Sequence, residues 1–184
     1  MLFEPVSLTL KDSRTAIFRP PQAEDAAEMI AYMRDTAGET DYLLGYPEER
    51  DIPVEKEAAF LAAVADDPNA MMIVCTVDGH LAGNCQLSFN TKIKKRHRAS
   101  VAIALRKAYW GLGIGTKMFS MMMEAAEARP GIMLLELEVI EGNSRARALY
   151  EKFGFRVTAL HPNAILLKDG TLLHEYLMQK ILNS

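Results

Sequence analysis

The chain has 184 residues and is poor in several things that would each announce a class of protein. It carries only two cysteines, Cys75 and Cys85, with neither a metal-site spacing nor a disulfide framework. Both sit in strand-like apolar segments, so they are expected as reduced core residues of a cytoplasmic protein. The four histidines, His80, His97, His161 and His174, show no metal-ligand spacing, and no metal is expected. No apolar run approaches the ~18 residues of a membrane span, and the acidic, proline-bearing start does not have the form of a signal peptide. The net charge of −3 excludes a general binder of nucleic acid or membrane surfaces. Repeats, low-complexity tracts and linkers are lacking as well.

What is present is an ordinary globular balance, with 49% apolar and 24% charged residues. The length fits one domain over residues 1–184 with a single sizeable core. Apolar periodicity alternates between strand and helix. Strands are expected over Thr15–Arg19, Met71–Val77, His80–Phe89, Arg98–Leu105, Ile132–Ile140, Phe155–Leu160, Ala164–Leu167 and Leu172–Ile181, and helices over Ala23–Asp35 and Val54–Ala65. Asp78-Gly79 reads as a two-residue hairpin turn. The pattern is an α/β chain, a mixed sheet with helices on its faces.

The most telling stretch is Trp110-Gly111-Leu112-Gly113-Ile114-Gly115-Thr116. A strand ending at Leu105 precedes it, and a helix over Thr116–Ala128 follows. Strand, glycine turn and helix start aim backbone N–H groups and the positive end of a helix dipole at one point, which suits a phosphate. The spacing is not that of a Walker loop, because Thr116 and Lys117 stand in the wrong order after Gly115. It is not a dinucleotide fingerprint either, because Thr116 stands where the third glycine belongs. On its own the turn fits close helix–strand packing equally well.

A second motif runs from Asn143 to Phe155. Asn143 reads as an N-cap and Gly154 as the residue that ends the helix. Ala146, Leu149, Tyr150 and Phe153 share one face. Tyr150 is either part of that apolar face or a phenol held inside a site as a proton donor.

Together the two motifs resemble the GCN5-related N-acetyltransferase (GNAT) superfamily. That family has Gln/Arg-x-x-Gly-x-Gly/Ala in its pyrophosphate loop, followed by Asn-x-x-Ala-x-x-Leu-Tyr-x-x-x-Gly-Phe. The chain matches the second pattern throughout. It matches the first at Gly113 and Gly115, with Trp110 where Gln or Arg is usual, a variant similar to the branch of ribosomal-protein and antibiotic acetyltransferases. The resemblance extends weakly over residues 14–182. It implies a mostly antiparallel mixed sheet, helices on both faces, and two central parallel strands, Ser100–Leu105 and Met133–Val139, that splay apart around the pantetheine arm of acetyl-CoA.

By the same resemblance, the backbone of Gly111, Leu112, Gly113, Ile114, Gly115 and Thr116 cradles the pyrophosphate. Ile103, Ala104 and Leu105 bond the pantetheine as an added strand does, with Asn143 contacting the same arm. Arg106 and Lys107 either add charge for the phosphates or form a solvated pair. Tyr150 protonates the departing thiolate of CoA. The implied reaction is direct attack of a primary amine on the thioester in a ternary complex, since neither cysteine comes with an arranged base.

An amine of pKa ~10.4 must shed a proton before it attacks. Relatives often carry Ala-Glu in the fourth strand, where this chain has Ala99-Ser100. Glu136 and Glu138 are the alternative bases; two apart on a strand, they share one side of the sheet, and either a site or a salt-bridged surface accounts for them. The acceptor is a small-molecule amine or a protein or peptide amine. Residues 36–53 line its pocket in the family, and here that segment mixes Glu39, Asp41, Glu48, Glu49 and Asp51 with Tyr42, Leu43, Leu44 and Tyr46. Either these carboxylates receive a cationic amine or they form a solvated loop. The basic run Lys92–Arg98 is an exposed loop or a grip for the 3′-phosphate of CoA, and no specific nucleic-acid site is expected. Leu172, Leu173, Tyr176, Leu177 and Met178 serve either as core strand or as the seam of a homodimer. A non-catalytic CoA-binding or regulatory module is the alternative function.

Overall fold

The computed structural model describes residues 1–182, so the last two residues of the expected 1–184 domain, Asn183 and Ser184, lie outside the described residues. Eight strands form one sheet: β1 (Val6–Thr9), β2 (Thr15–Arg19), β3 (Ala70–Val77), β4 (His80–Phe89), β5 (Arg98–Leu105), β6 (Leu134–Ile140), β7 (Arg156–Leu166) and β8 (Leu172–Ile181). The helices are α1 (Ala26–Glu39), α2 (Val54–Asp66), α3 (Ile114–Ala128) and α4 (Ser144–Lys152). The strand order is β1-β2-β3-β4-β5-β6-β8-β7, and every neighbouring pair is antiparallel except β5 and β6. This is the mixed, mostly antiparallel sheet expected.

The alternation of β3 sorts the core into two layers. Met71, Ile73, Cys75 and Val77 face α3, meeting Ile114, Met118, Phe119 and Met122 with Phe18. Met72 and Val74 face the other way and pack with Met29, Tyr32, Leu61 and Val64 of α1 and α2. Period-two burial in the strand and a one-sided apolar stripe in each helix are enough to build this sandwich. Cys75 and Cys85 are both free and buried, and burial pushes the Cys75 thiol up to about 12, so they act as small apolar side chains.

The parallel pair is the unusual part of the sheet. Only Arg98, Ala99 and Ser100 register with Leu134, Leu135 and Glu136. Beyond that, β5 stays with β4 as far as Leu105 opposite Gly83, while β6 follows β8 as far as Ile140 opposite Glu175. The two strands part, and the sheet opens into a V between them.

Several expectations shift in detail. The separate strands at Phe155–Leu160 and Ala164–Leu167 are one strand, β7, irregular between His161 and Ile165. Pro162-Asn163 signals a turn, but the Asn163 N–H bonds His174 Nδ1 on β8 and the strand runs on. The short β1 carries too few residues for periodicity to reveal it. The helix after the glycine turn starts at Ile114 rather than Thr116. Of the five C-terminal apolar residues, Met178 is core, while Leu172 is half exposed at the hairpin end.

Candidate active site

The V is the mouth of a cavity of about 770 Å³. Its walls are Val101–Leu105 of β5 on one side and Glu138–Ile140 of β6 on the other. The starts of α3 and α4 face it from below, and Thr40, Tyr42, Leu43, Leu44 and Arg50 cover it.

Gly113 occupies the N-cap position of α3 at φ +100°, a conformation that a side chain resists. The helix closes with Lys117 N–H bonding Gly113 O, so the N–H groups of its first residues stay free of helical partners. Gly115 faces the cavity, and a Cβ there would lie 3.3 Å from both Leu105 and Leu149. The absence of that carbon keeps the floor open to a bulky anion. Trp110, in place of the usual polar residue, donates its indole N–H to Leu105 O at 2.9 Å and pins the end of β5 to the turn.

Asn143 caps α4 by accepting from Ala146 N–H at 3.2 Å and also lines the cavity. Two turns along, Tyr150 is 7% exposed and packs on Phe119 with ring centroids 5.3 Å apart. Its hydroxyl bonds no protein group among the described residues, and the residue lines the cavity. Burial pushes this phenol up to about 12, so it holds its proton throughout the neutral range.

The sequence-predicted residues divide cleanly. Ile103, Ala104, Leu105, Gly111, Gly113, Ile114, Gly115, Thr116, Asn143, Tyr150 and Glu138 all line the cavity. Leu112 instead packs against the core. Arg106 turns to the α1 face, pairing with Asp35 and donating to Leu81 O at 3.0 Å. Glu136 pairs with Arg98 where β5 and β6 are still joined. Register explains the split between the two glutamates: Glu136 lies beside Ser100 in the closed part of the V, and Glu138 in the open part.

Of the loop carboxylates, Glu39 accepts from Lys107 N–H, Glu49 from Tyr46 N–H, and Glu48 pairs with Lys168. The loop therefore gives the cavity Thr40, Tyr42, Leu43, Leu44 and the cation Arg50 rather than acids. The basic run stands at the start of β5, and the glycine turn beyond its other end. Eight residues of strand separate them by roughly 23 Å at about 3.3 Å per residue, so the run stands well away from the turn.

Other cavity residues had no individual role read from the sequence. Arg145 stacks over Trp110, its guanidinium 5.0 Å from the ring centroid, and no carboxylate pairs with it among the described residues. An arginine in the first turn of a helix opposes the dipole, and that was the available signal. Tyr42 reaches across the cleft to Gly142, where a Cβ would lie 3.0 Å from its hydroxyl. Glu175 of β8 lines the cavity near Glu138 and is the one acid of that strand.

A V-split sheet, a helix start with free N–H groups and a buried tyrosine thus share one cavity. Residues 30–155 match the model of the Acetyltransferase (GNAT) family, more than half of the chain, and the protein belongs to that family. A Bacillus subtilis protein provisionally named [ribosomal protein bS18]-alanine N-acetyltransferase is 30% identical over 105 residues, covering 57% of this chain and 66% of that one. An N-alpha-acetyltransferase of Sulfurisphaera tokodaii is 34% identical over 102 residues, 55% of this chain and 59% of its own length. The chain thus aligns with less than two thirds of either relative. Among solved structures, a GNAT-family acetyltransferase of Streptococcus pneumoniae superposes with a TM-score of 0.84 at 26% identity, covering 91% of this chain and 99% of that one. A Salmonella typhimurium protein solved with its cofactor acetyl-CoA shares the fold at a TM-score of 0.76 and 20% identity, over 91% of this chain and 94% of that one. No described helix is long and apolar enough to cross a membrane.

Proposed function

We propose that the protein is an acetyl-CoA-dependent N-acetyltransferase that moves the acetyl group directly to a primary amine. The observation that carries this is the shared cavity: the free N–H groups starting α3, the unpaired edge of β5, Tyr150 and Glu138 all open onto it. Acetyl-CoA supplies the activated acyl group. The N–H groups at Gly113–Thr116 hold its pyrophosphate, Arg145 and Trp110 stand beside them for the nucleotide phosphates, and the edge at Ile103 bonds the pantetheine arm as a neighbouring strand would. Glu138, exposed to the cavity and bonded to no other described side chain, takes the proton from the amine. Tyr150 donates to the sulfur that leaves. Burial favours the neutral form of both phenol and thiol, so the hydroxyl keeps its proton until the sulfur needs it.

The names of the relatives support an α-amine acceptor. Release of the CoA thiol against a panel of peptides, amino acids and polyamines tests the reading. Acceptor-dependent release that collapses in Tyr150→Phe is expected. Tight binding of acetyl-CoA with no release from any acceptor would favour a CoA-sensing module instead, and failure to bind acetyl-CoA would refute both.

A further inference from the structure

The segment between α1 and α2 does more than cover the cavity, because it crosses the open end of the V. It leaves α1, which packs on β3 and β4, and touches the far side of the cleft in two places. Tyr42 meets the turn between β6 and α4, its hydroxyl 3.0 Å from where a Cβ on Gly142 would stand. Farther along, the segment meets the tip of the β7–β8 hairpin at one residue, Lys168. The Lys168 backbone N–H donates to the Tyr46 hydroxyl at 3.0 Å. Its ammonium lies 4.1 Å from the centre of the Tyr46 ring and pairs with Glu48.

Both sides of this junction are held in shape. The Glu49 carboxylate accepts from Tyr46 N–H at 2.6 Å, Glu49 N–H bonds Tyr46 O at 3.0 Å, and Arg50 folds back onto the Leu44 carbonyl. On the hairpin, Leu167 N–H bonds Thr171 O and Thr171 N–H bonds the Asp169 carboxylate, each at 2.9 Å. The hydrogen bond from Glu48 holds the Lys168 ammonium above its ordinary range, so the cation is present throughout neutral pH. No other residue of the hairpin bonds the segment among the described residues. An exposed ion pair or a cation over a ring is weak singly, but here both fall on one side chain whose backbone is fixed by the same tyrosine.

We infer that Lys168 is a positioning residue that straps the α1–α2 segment across the cleft and so keeps water from the acetyl thioester. The inference rests on the acetyltransferase reading. With the strap fastened, Tyr42, Leu43 and Leu44 wall the cavity that Glu138 and Tyr150 also line. Water in that cavity is a rival to the amine. Its oxygen would bond the carbonyl carbon as the C–S bond breaks, giving acetate and the CoA thiol, with one proton passing to sulfur and the other to solvent. An apolar cover held in place excludes that reaction.

The experiment measures thiol release from saturating acetyl-CoA with no amine present, in the wild type, Lys168→Ala and Lys168→Arg, beside hydrogen exchange of the amides of Tyr46 and Glu49. Lys168→Ala should raise the amine-free release about three- to tenfold and speed exchange of both amides by a similar factor, with the dissociation constant of acetyl-CoA unchanged. Lys168→Arg should restore the wild-type values, because a guanidinium keeps both the ion pair and the ring contact. Salt at about 0.5 M should loosen the wild type toward the alanine variant and change that variant little. Amine-free release that stays at the wild-type rate in Lys168→Ala overturns the inference. Raised release with unchanged exchange overturns it too, since the segment would not be what admitted the water. Failure of the wild type to bind acetyl-CoA would refute the acetyltransferase reading and this inference together, whereas normal binding with an unchanged rate refutes the strap alone.

Discussion

Tyr150 and Arg145 lie on the same short helix and ask different questions of the cosubstrate. Tyr150→Phe removes only the hydroxyl, leaving the ring against Phe119 and Phe155. A loss of about 10²–10³ in kcat is expected from removal of a proton donor, with the dissociation constant of acetyl-CoA unchanged. A rate that survives the substitution would leave the phenol a packing residue. Because burial holds this group at about 12, its deprotonation should draw no falling limb in the pH–rate profile between neutrality and roughly pH 11. Arg145→Ala should act on the other end of the ligand. It should raise KM for acetyl-CoA about three- to tenfold, a modest loss suited to an exposed charge, and narrow the gap to acetyl-dephospho-CoA. Equal losses with both donors would place Arg145 outside phosphate recognition.

At the scale of elements, the glycine turn and the cap of α4 are the points where sequence dictates conformation most tightly. Gly113→Ala forces a Cβ into the left-handed region and should cost about 1–2 kcal/mol, seen as a lower urea midpoint and weaker CoA binding together. Asn143→Ala removes the cap on Ala146 N–H and should cost about 1 kcal/mol, read by the same denaturation.

These capped, strongly patterned pieces were also the ones legible in advance. Thr15–Arg19, His80–Phe89, Arg98–Leu105 and the helix after Asn143 fall where period and punctuation put them. The misses have physical causes. Pro162-Asn163 carries turn chemistry and bends the chain locally, with Asn163 at φ +55°, yet pairing with β8 resumes at Ile165 and makes one strand. Glu136 and Glu138 cannot be told apart by periodicity, since only the register of β5 on β6 decides which one meets the open cleft. Arg106 sits in the right place along the chain, but the ion pair with Asp35 and the face of Tyr32 draw it away. Glu175 depends on strands distant in sequence, so no local motif announces it.

Over the whole molecule, a few ion pairs tie the helical layer to the sheet. Asp25 receives both arms of Arg19, at 2.7 and 2.6 Å, and the Gln22 N–H at 2.8 Å. Burial alone would raise its carboxyl, but the Arg19 hydrogen bond, the Gln22 N–H and the charge of Arg19 together outweigh it and hold it below the ordinary range. A group lowered in the folded state contributes its stability above the unfolded pKa of about 3.9, and loses it as pH falls through the folded value. The urea midpoint should therefore drop as pH is taken below about 4, and Asp25→Asn should flatten that drop while lowering the midpoint at pH 7. An unchanged acid limb in the variant would remove this pair from the account.

The three-residue seam between β5 and β6 has a consequence for stability. On one side stand β1–β5 with α1–α3, and on the other β6–β8, with α4 following β6. The two blocks share an apolar core, with Phe119 of α3 against Tyr150 and Phe155, and a ligand lying along the open edge of β5 and against α4 would add a splint across the opening. Binding that favours the folded form raises stability by about 2.7 kcal/mol at a hundredfold excess over Kd. On the acetyltransferase reading, the protein's resistance to unfolding should then rise with the acetyl-CoA supplied, read as a higher urea midpoint.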